Sequence, residues 1–132
     1  MFLSEKDLSL LAGACKMDYT GFVKTYCRWV RAPATPGNPD RECLSLKEKS
    51  NFDCIFWNQG CTVYHARPVQ CRTFPFWQQV ISSSGAWEMA GTGCPGINSG
   101  ELHTREEIEA CLAAGRAAGP LIDRQSACIR GI

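Results

Sequence analysis

The stretch Asp53–Trp77, DCIFWNQGCTVYHARPVQCRTFPFW, constrains this chain more than any other. It holds Cys54, Cys61 and Cys71 among large aromatic residues, with the pairs Arg67-Pro68 and Phe74-Pro75. Proline removes a backbone donor and fixes one torsion, so the mixture suits neither a continuous helix nor a central strand. The pattern predicts a short hairpin followed by a tightly turned segment. Its sulfurs are expected to converge on a metal ion or an iron–sulfur cluster, with Cys94 as a further ligand.

Nine cysteines in 132 residues need a reason. A secreted disulfide scaffold is one; yet the count is odd, and MFLSEKDLSLLAG lacks the basic and apolar regions of a signal peptide. The expected compartment is therefore the cytoplasm, where clustered thiols serve as metal ligands or catalytic groups. A net charge of +1 gives no reason to expect nucleic acid, and no apolar run is long enough for a membrane. Protein partners are not indicated. With 45% hydrophobic and 20% charged residues, the chain reads as one domain over 1–118 and a tail over 119–132.

Local signals give the order of elements. Ser4 and Asp7 form a capping box, with Leu3 and Leu8 as a staple, opening a helix that ends near Gly13. A second helix is expected after Asp18, because Tyr19, Phe22, Val23, Tyr26 and Val30 recur at helical spacing. Cys27 lies beside that stripe and reads as a core thiol or a ligand. Residues 31–42 form a proline-rich loop, and 43–47 alternate as a half-buried strand does. The runs 54–57 and 61–64 would pair across Asn58-Gln59-Gly60, setting Cys54 opposite Cys61. Arg67-Pro68 opens a short helix carrying Cys71, which Pro75 ends. The Ser- and Gly-rich segment 82–100 is expected to be irregular, with Trp87 as an anchor and a turn at Cys94-Pro-Gly-Ile. Thr104 and Glu107 form a second capping box, for a helix to about Gly115. The fold class is a small α+β domain with a short hairpin, flanking helices and a cysteine-rich centre.

Four thiolates are the usual complement of a structural zinc site or a cubane cluster. Cys54, Cys61, Cys71 and Cys94 are separated by six, nine and twenty-two residues, each at a constrained backbone position. No C-x-x-C is present, so the common zinc and ferredoxin spacings are absent. Arg67 and Arg72 are candidate donors to cluster sulfur or to an anionic ligand. Alternatively, Arg67 pairs with a carboxylate such as Asp53 and Arg72 is solvated. His65 is either a substitute ligand or a surface residue, and the aromatics either shield a cluster or form core. Glu106, Glu107 and Glu109 read as the acidic start of a helix, not as a catalytic pair. No nucleotide loop, nucleophile elbow or H-E-x-x-H occurs, which leaves a Cys61–His65 pair as a weak enzymatic reading.

The segments D-C-I-F-W…G-C-T-V-Y-x-x-R-P-x-x-C-R-T-F-P-F-W and C-P-G-I resemble the YkgJ-like cysteine-cluster family, described as zinc- or iron-chelating. The resemblance extends to L-S-E-K-D-L near the start, Y-C-R-W-V at 26–30 and L-S-L-K-E-K at 44–49. It implies Cys54, Cys61, Cys71 and Cys94 as metal ligands, with less support for Cys27 and Cys43. Members usually carry a cluster of the type C-x-x-C-x-x-C-C before the L-S-E-x-D-L segment. This chain has none there, and either truncation or a lost half-site is expected. The expected function is thus a protein holding zinc or an iron–sulfur cluster. The alternatives are a structural or interaction module with core or disulfide cysteines, or a thiol-redox enzyme.

Overall fold

The computed structural model describes residues 1–37 and 39–120, which divide into two compact units, Met1–Pro68 and Val69–Ala118. The tail expected after residue 118 falls almost entirely outside them.

The first unit opens as expected. Helix α1, Glu5–Ala14, begins at a complete capping box in which the Ser4 hydroxyl accepts from the Asp7 amide and the Asp7 carboxylate accepts from the Ser4 amide. Asp18 caps α2, Tyr19–Tyr26, by accepting from the Gly21 amide at 2.6 Å. That helix does not run on to Val30. At Cys27 the backbone turns extended, and Cys27–Ala32 forms strand β1, antiparallel to β2, Arg41–Leu46. Pairing runs from Cys27↔Leu46 to Ala32↔Arg41, so Val30 faces Cys43 across the sheet. Arg28–Glu48 and Arg31–Asp40 ion pairs join residues of β1 to residues beyond β2. Helical spacing of Tyr26 and Val30 was compatible with both outcomes; the long-range ladder decides for the strand.

Strand β2 does not alternate between core and solvent, because Cys43, Leu44, Ser45 and Leu46 are all buried. Residues 1–3 run beside it: the Leu3 amide donates to the Leu44 carbonyl, and the Leu46 amide to the Met1 carbonyl, each at 2.9 Å. The Ser45 hydroxyl accepts from the Met1 amino group at 3.1 Å and donates to the Met1 carbonyl at 2.9 Å. Leu44 and Leu46 join Leu3, Leu8, Leu11, Phe22, Val23 and Phe56 in one apolar core. Rings of Phe22, Tyr26 and Phe56 meet within it at 4.8–6.2 Å. Lys47 then closes the end of α2, donating to the Lys24 and Thr25 carbonyls at 2.8 Å.

The second unit is mostly helical. It comprises α3, Val69–Thr73; α4, Gln78–Ile81; α5, Ser84–Gly93; and α6, Arg105–Ala117. The segment expected to be irregular after residue 82 is thus largely α5. Ser83 caps it by accepting from the Ala86 amide at 3.1 Å, which the Ser/Gly composition concealed. Helix α6 opens at the expected capping box of Thr104 and Glu107 and packs with α3. The α+β class is as expected, but its hairpin is β1–β2 and not 54–64. Among the described residues no helix is long and apolar enough to cross a membrane.

Candidate metal centre

The cysteines separate by exposure. Cys27 is 6% exposed and Cys43 1%, and both belong to the sheet. Burial pushes the Cys27 thiol up to about 12, partly offset by the Lys47 ammonium. A thiol so placed stays protonated near neutrality and is a poor ligand, since metals bind the thiolate. Cys15 is half-buried against the core, and burial raises it as well. By contrast Cys54 is exposed, while Cys61, Cys71 and Cys94 are half-buried. Cys111, on α6, is also half-buried. No disulfide joins two described cysteines.

Cys54 and Cys61 belong to the first unit, but not as opposite members of one hairpin. Cys54 bridges to Glu48, and Cys61 bridges to Trp57. Residues 54–57 form a turn instead of a strand, the Trp57 amide donating to the Cys54 carbonyl at 2.9 Å, and a further turn lies on either side of it. In the turn before it, the Lys49 amide donates to the Asp53 carbonyl at 2.8 Å and the Phe52 amide to the Lys49 carbonyl at 2.9 Å. In the turn after it, Asn58-Gln59-Gly60 makes the expected three-residue turn, with the Asn58 amide donating to the Gly60 carbonyl at 2.8 Å. Its left-handed residue is Gln59, at φ 54°, next to Gly60 at φ 157°. Lys49 ties these turns together by donating to the Trp57 carbonyl.

Arg67 lies over the Tyr64 ring, 3.6 Å from its centroid, and its Nε donates to the Tyr64 carbonyl at 3.0 Å. Its guanidinium is thus engaged locally by an aromatic face. Asp53, the carboxylate considered for it, accepts from the Asn51 side chain at 2.7 Å. His65 is exposed and meets Tyr64 edge-on at 5.9 Å.

In the second unit, Cys71 sits on α3 beside Arg72, and Cys94 terminates α5. The Cys94-Pro-Gly-Ile turn forms as expected, with the Ile97 amide donating to the Cys94 carbonyl at 3.2 Å. Trp87 anchors the turn through Nε1, which donates to Asn98 Oδ1 at 2.9 Å. Sequence reasoning foresaw Trp87 but not Asn98, whose φ of 60° is one that asparagine adopts more readily than most residues.

The donor chemistry of Cys54, Cys61, Cys71 and Cys94 fits a soft metal, since a thiol open to solvent can give up its proton as it takes a metal ion. Among the described residues, no three His, Cys, Asp or Glu side chains stand together as an ion site. No family model matches the chain, and no solved structure matches it.

Proposed function

We propose that this chain is a metal-binding protein taking zinc or an iron–sulfur cluster through thiolates of Cys54, Cys61, Cys71 and Cys94. The observation that carries the reading is the thin core of the Val69–Ala118 unit. Neither α5 nor α6 buries a residue fully, and Val69, Thr73 and Val80 are the buried side chains among its described residues. A unit this small rarely reaches adequate stability by burial alone and commonly uses a metal instead. Cys71 and Cys94, both half-buried, lie on that unit. The metal would supply ligation energy that is also folding energy. Arg72, and Arg67 if it leaves the Tyr64 ring, are the proposed donors to sulfur or an anionic ligand, and the cytoplasm is the proposed compartment. The resemblance to the YkgJ-like family agrees with the same ligand set.

The test is metal analysis of full-length protein purified without oxygen. Stoichiometric zinc or iron is expected, lost in Cys71→Ser and Cys94→Ser but kept in Cys111→Ser. A brown protein identifies an iron–sulfur cluster, and a colourless zinc-loaded one a structural site. Protein with neither metal refutes the reading.

A second reading, an interaction module, draws on exposed apolar side chains. Phe52 is 86% exposed and Met89 75%. Thiol counts in denaturant, with and without reductant, address the accompanying disulfide possibility: a higher count after reduction means bridges.

A further inference from the structure

Beyond its cysteines, the Val69–Ala118 unit contains a cleft of about 460 Å³ whose lining includes Phe76, Trp87, Asn98, Glu101, His103 and Ile108. That volume is in the range of small-molecule sites. One side of it is a cluster of three rings in contact with one another. Phe76 and Trp87 lie nearly parallel, 18° apart with centroids 6.4 Å apart. His103 meets Phe76 edge-on, at 77° and 5.1 Å. Two of the three rings also have polar partners. The Trp87 indole donates to Asn98, and His103 Nδ1 lies 3.4 Å from a Glu107 carboxylate oxygen.

The ionisable groups of the lining are one carboxylate and one imidazole, and the imidazole is paired with Glu107. Glu101 contributes a carboxylate, and no lysine or arginine is among the described lining residues. Arg105, the nearest cation along the chain, is engaged by Glu109 at 2.7 Å. Aromatic faces present negative quadrupole and attract cations, and a carboxylate at the same opening adds to that field. An anion would meet Glu101, and the lining's basic group, His103, already faces the Glu107 carboxylate. The apolar surfaces of Phe76, Trp87 and Ile108 in turn favour a ligand with a poorly hydrated body.

We propose that this cleft binds a small organic ammonium ion, its cationic head between the ring cluster and Glu101. Choline is a suitable probe, together with the neutral alcohol in which a tert-butyl group replaces the trimethylammonium. Shape is then constant and charge is the variable. The readout is the indole N–H resonance of Trp87 in full-length protein, assigned by its loss in Trp87→Phe. That signal reports the cleft whether or not the cysteines hold metal.

Choline is expected to shift the resonance saturably and to bind at least about tenfold more tightly than the neutral alcohol. Glu101→Gln, at an exposed position where folding is not at stake, should weaken choline binding about threefold to tenfold. Glu88→Gln, an exposed carboxylate on α5 outside the lining, should leave it unchanged. The proposal is overturned if choline produces no saturable shift, if the alcohol binds equally well, or if Glu101→Gln behaves like Glu88→Gln.

Discussion

In the Met1–Pro68 unit, Leu3, Leu8, Leu11, Phe22, Leu44 and Leu46 are each no more than 2% exposed and touch one another in a single core. In the Val69–Ala118 unit, Met89 is largely exposed, and Leu102 is 99% exposed. Composition accounts for part of the contrast, because the first stretch carries six leucines and the second only Leu102 and Leu112. Topology accounts for the rest. A sheet with two helices and a returning N-terminal segment encloses apolar side chains from several directions, whereas α3, α4 and α5 are four to ten residues long with little face to bury. The first unit is held by burial; the second has room for a ligand to contribute.

The largest effect that would break this contrast comes from core deletion. Phe22→Ala should cost about 3–5 kcal/mol, by lost transfer energy and the cavity left beside Tyr26 and Phe56. Val80→Ala, at the most apolar buried position of α4, should cost about 1–2 kcal/mol. Denaturant unfolding of both variants measures the difference. Equal losses would mean that the second unit has a core comparable to the first.

Metal removal should act in the opposite sense. Chelation of anaerobically prepared protein is expected to speed amide exchange in α3, α5 and α6 on the order of a hundredfold, leaving α1 and α2 little changed. Uniform acceleration in both units would break the assignment of ligation energy to the second.

These same two units were unequally legible from the residues. Both capping boxes could be read directly, because Ser4-x-x-Asp7 and Thr104-x-x-Glu107 are satisfied within one turn. The left-handed turn at 58–60 and the Cys94-Pro-Gly-Ile turn are local in the same way. Strand β1 was not legible, because Arg28 to Arg31 become a strand only through a ladder with residues 11 to 17 positions away, while Tyr26 and Val30 keep helical spacing. Helix α5 was hidden by its Ser, Gly and Ala content, although Trp87 stacking on Phe76 gives it a tertiary anchor. The candidate ligands were legible as chemistry but not as geometry. Spacing said that Cys54 and Cys61 flank a turn; it could not say that Cys54 would bridge to Glu48.

The two capping boxes sharpen the comparison further, since they are one motif in two settings. Ser4 and Asp7 are 8% and 2% exposed, and their side chains meet at 2.6 Å. Ser4→Ala should cost near the upper end of the N-cap range, about 2 kcal/mol, because a buried carboxylate loses a donor. Thr104 and Glu107 are open to solvent, so Thr104→Ala should cost about 0.5–1 kcal/mol. Thermal or denaturant unfolding distinguishes them, and equal costs would show that burial adds nothing to this motif.

The smallest effect is a pH dependence confined to the start of α6. The Thr104 amide, donating at 2.8 Å, holds the Glu107 carboxyl below its ordinary value of 4.5; desolvation opposes this, and the nearby His103 adds to it. A carboxyl lowered on folding stabilises the folded form above its unfolded pKa, and that contribution is lost as pH falls through the lower, folded value. Amide protection at Glu107 and Ile108 should therefore persist through neutral pH and weaken only below the usual carboxylate range. Carboxyl-carbon titration of Glu107 by NMR, with Glu106 as an exposed neighbour on the same turn, measures the shift. A Glu107 midpoint at or above 4.5 would mean that the box is open in solution, leaving α6 with neither a buried face nor a closed cap to define its first turn.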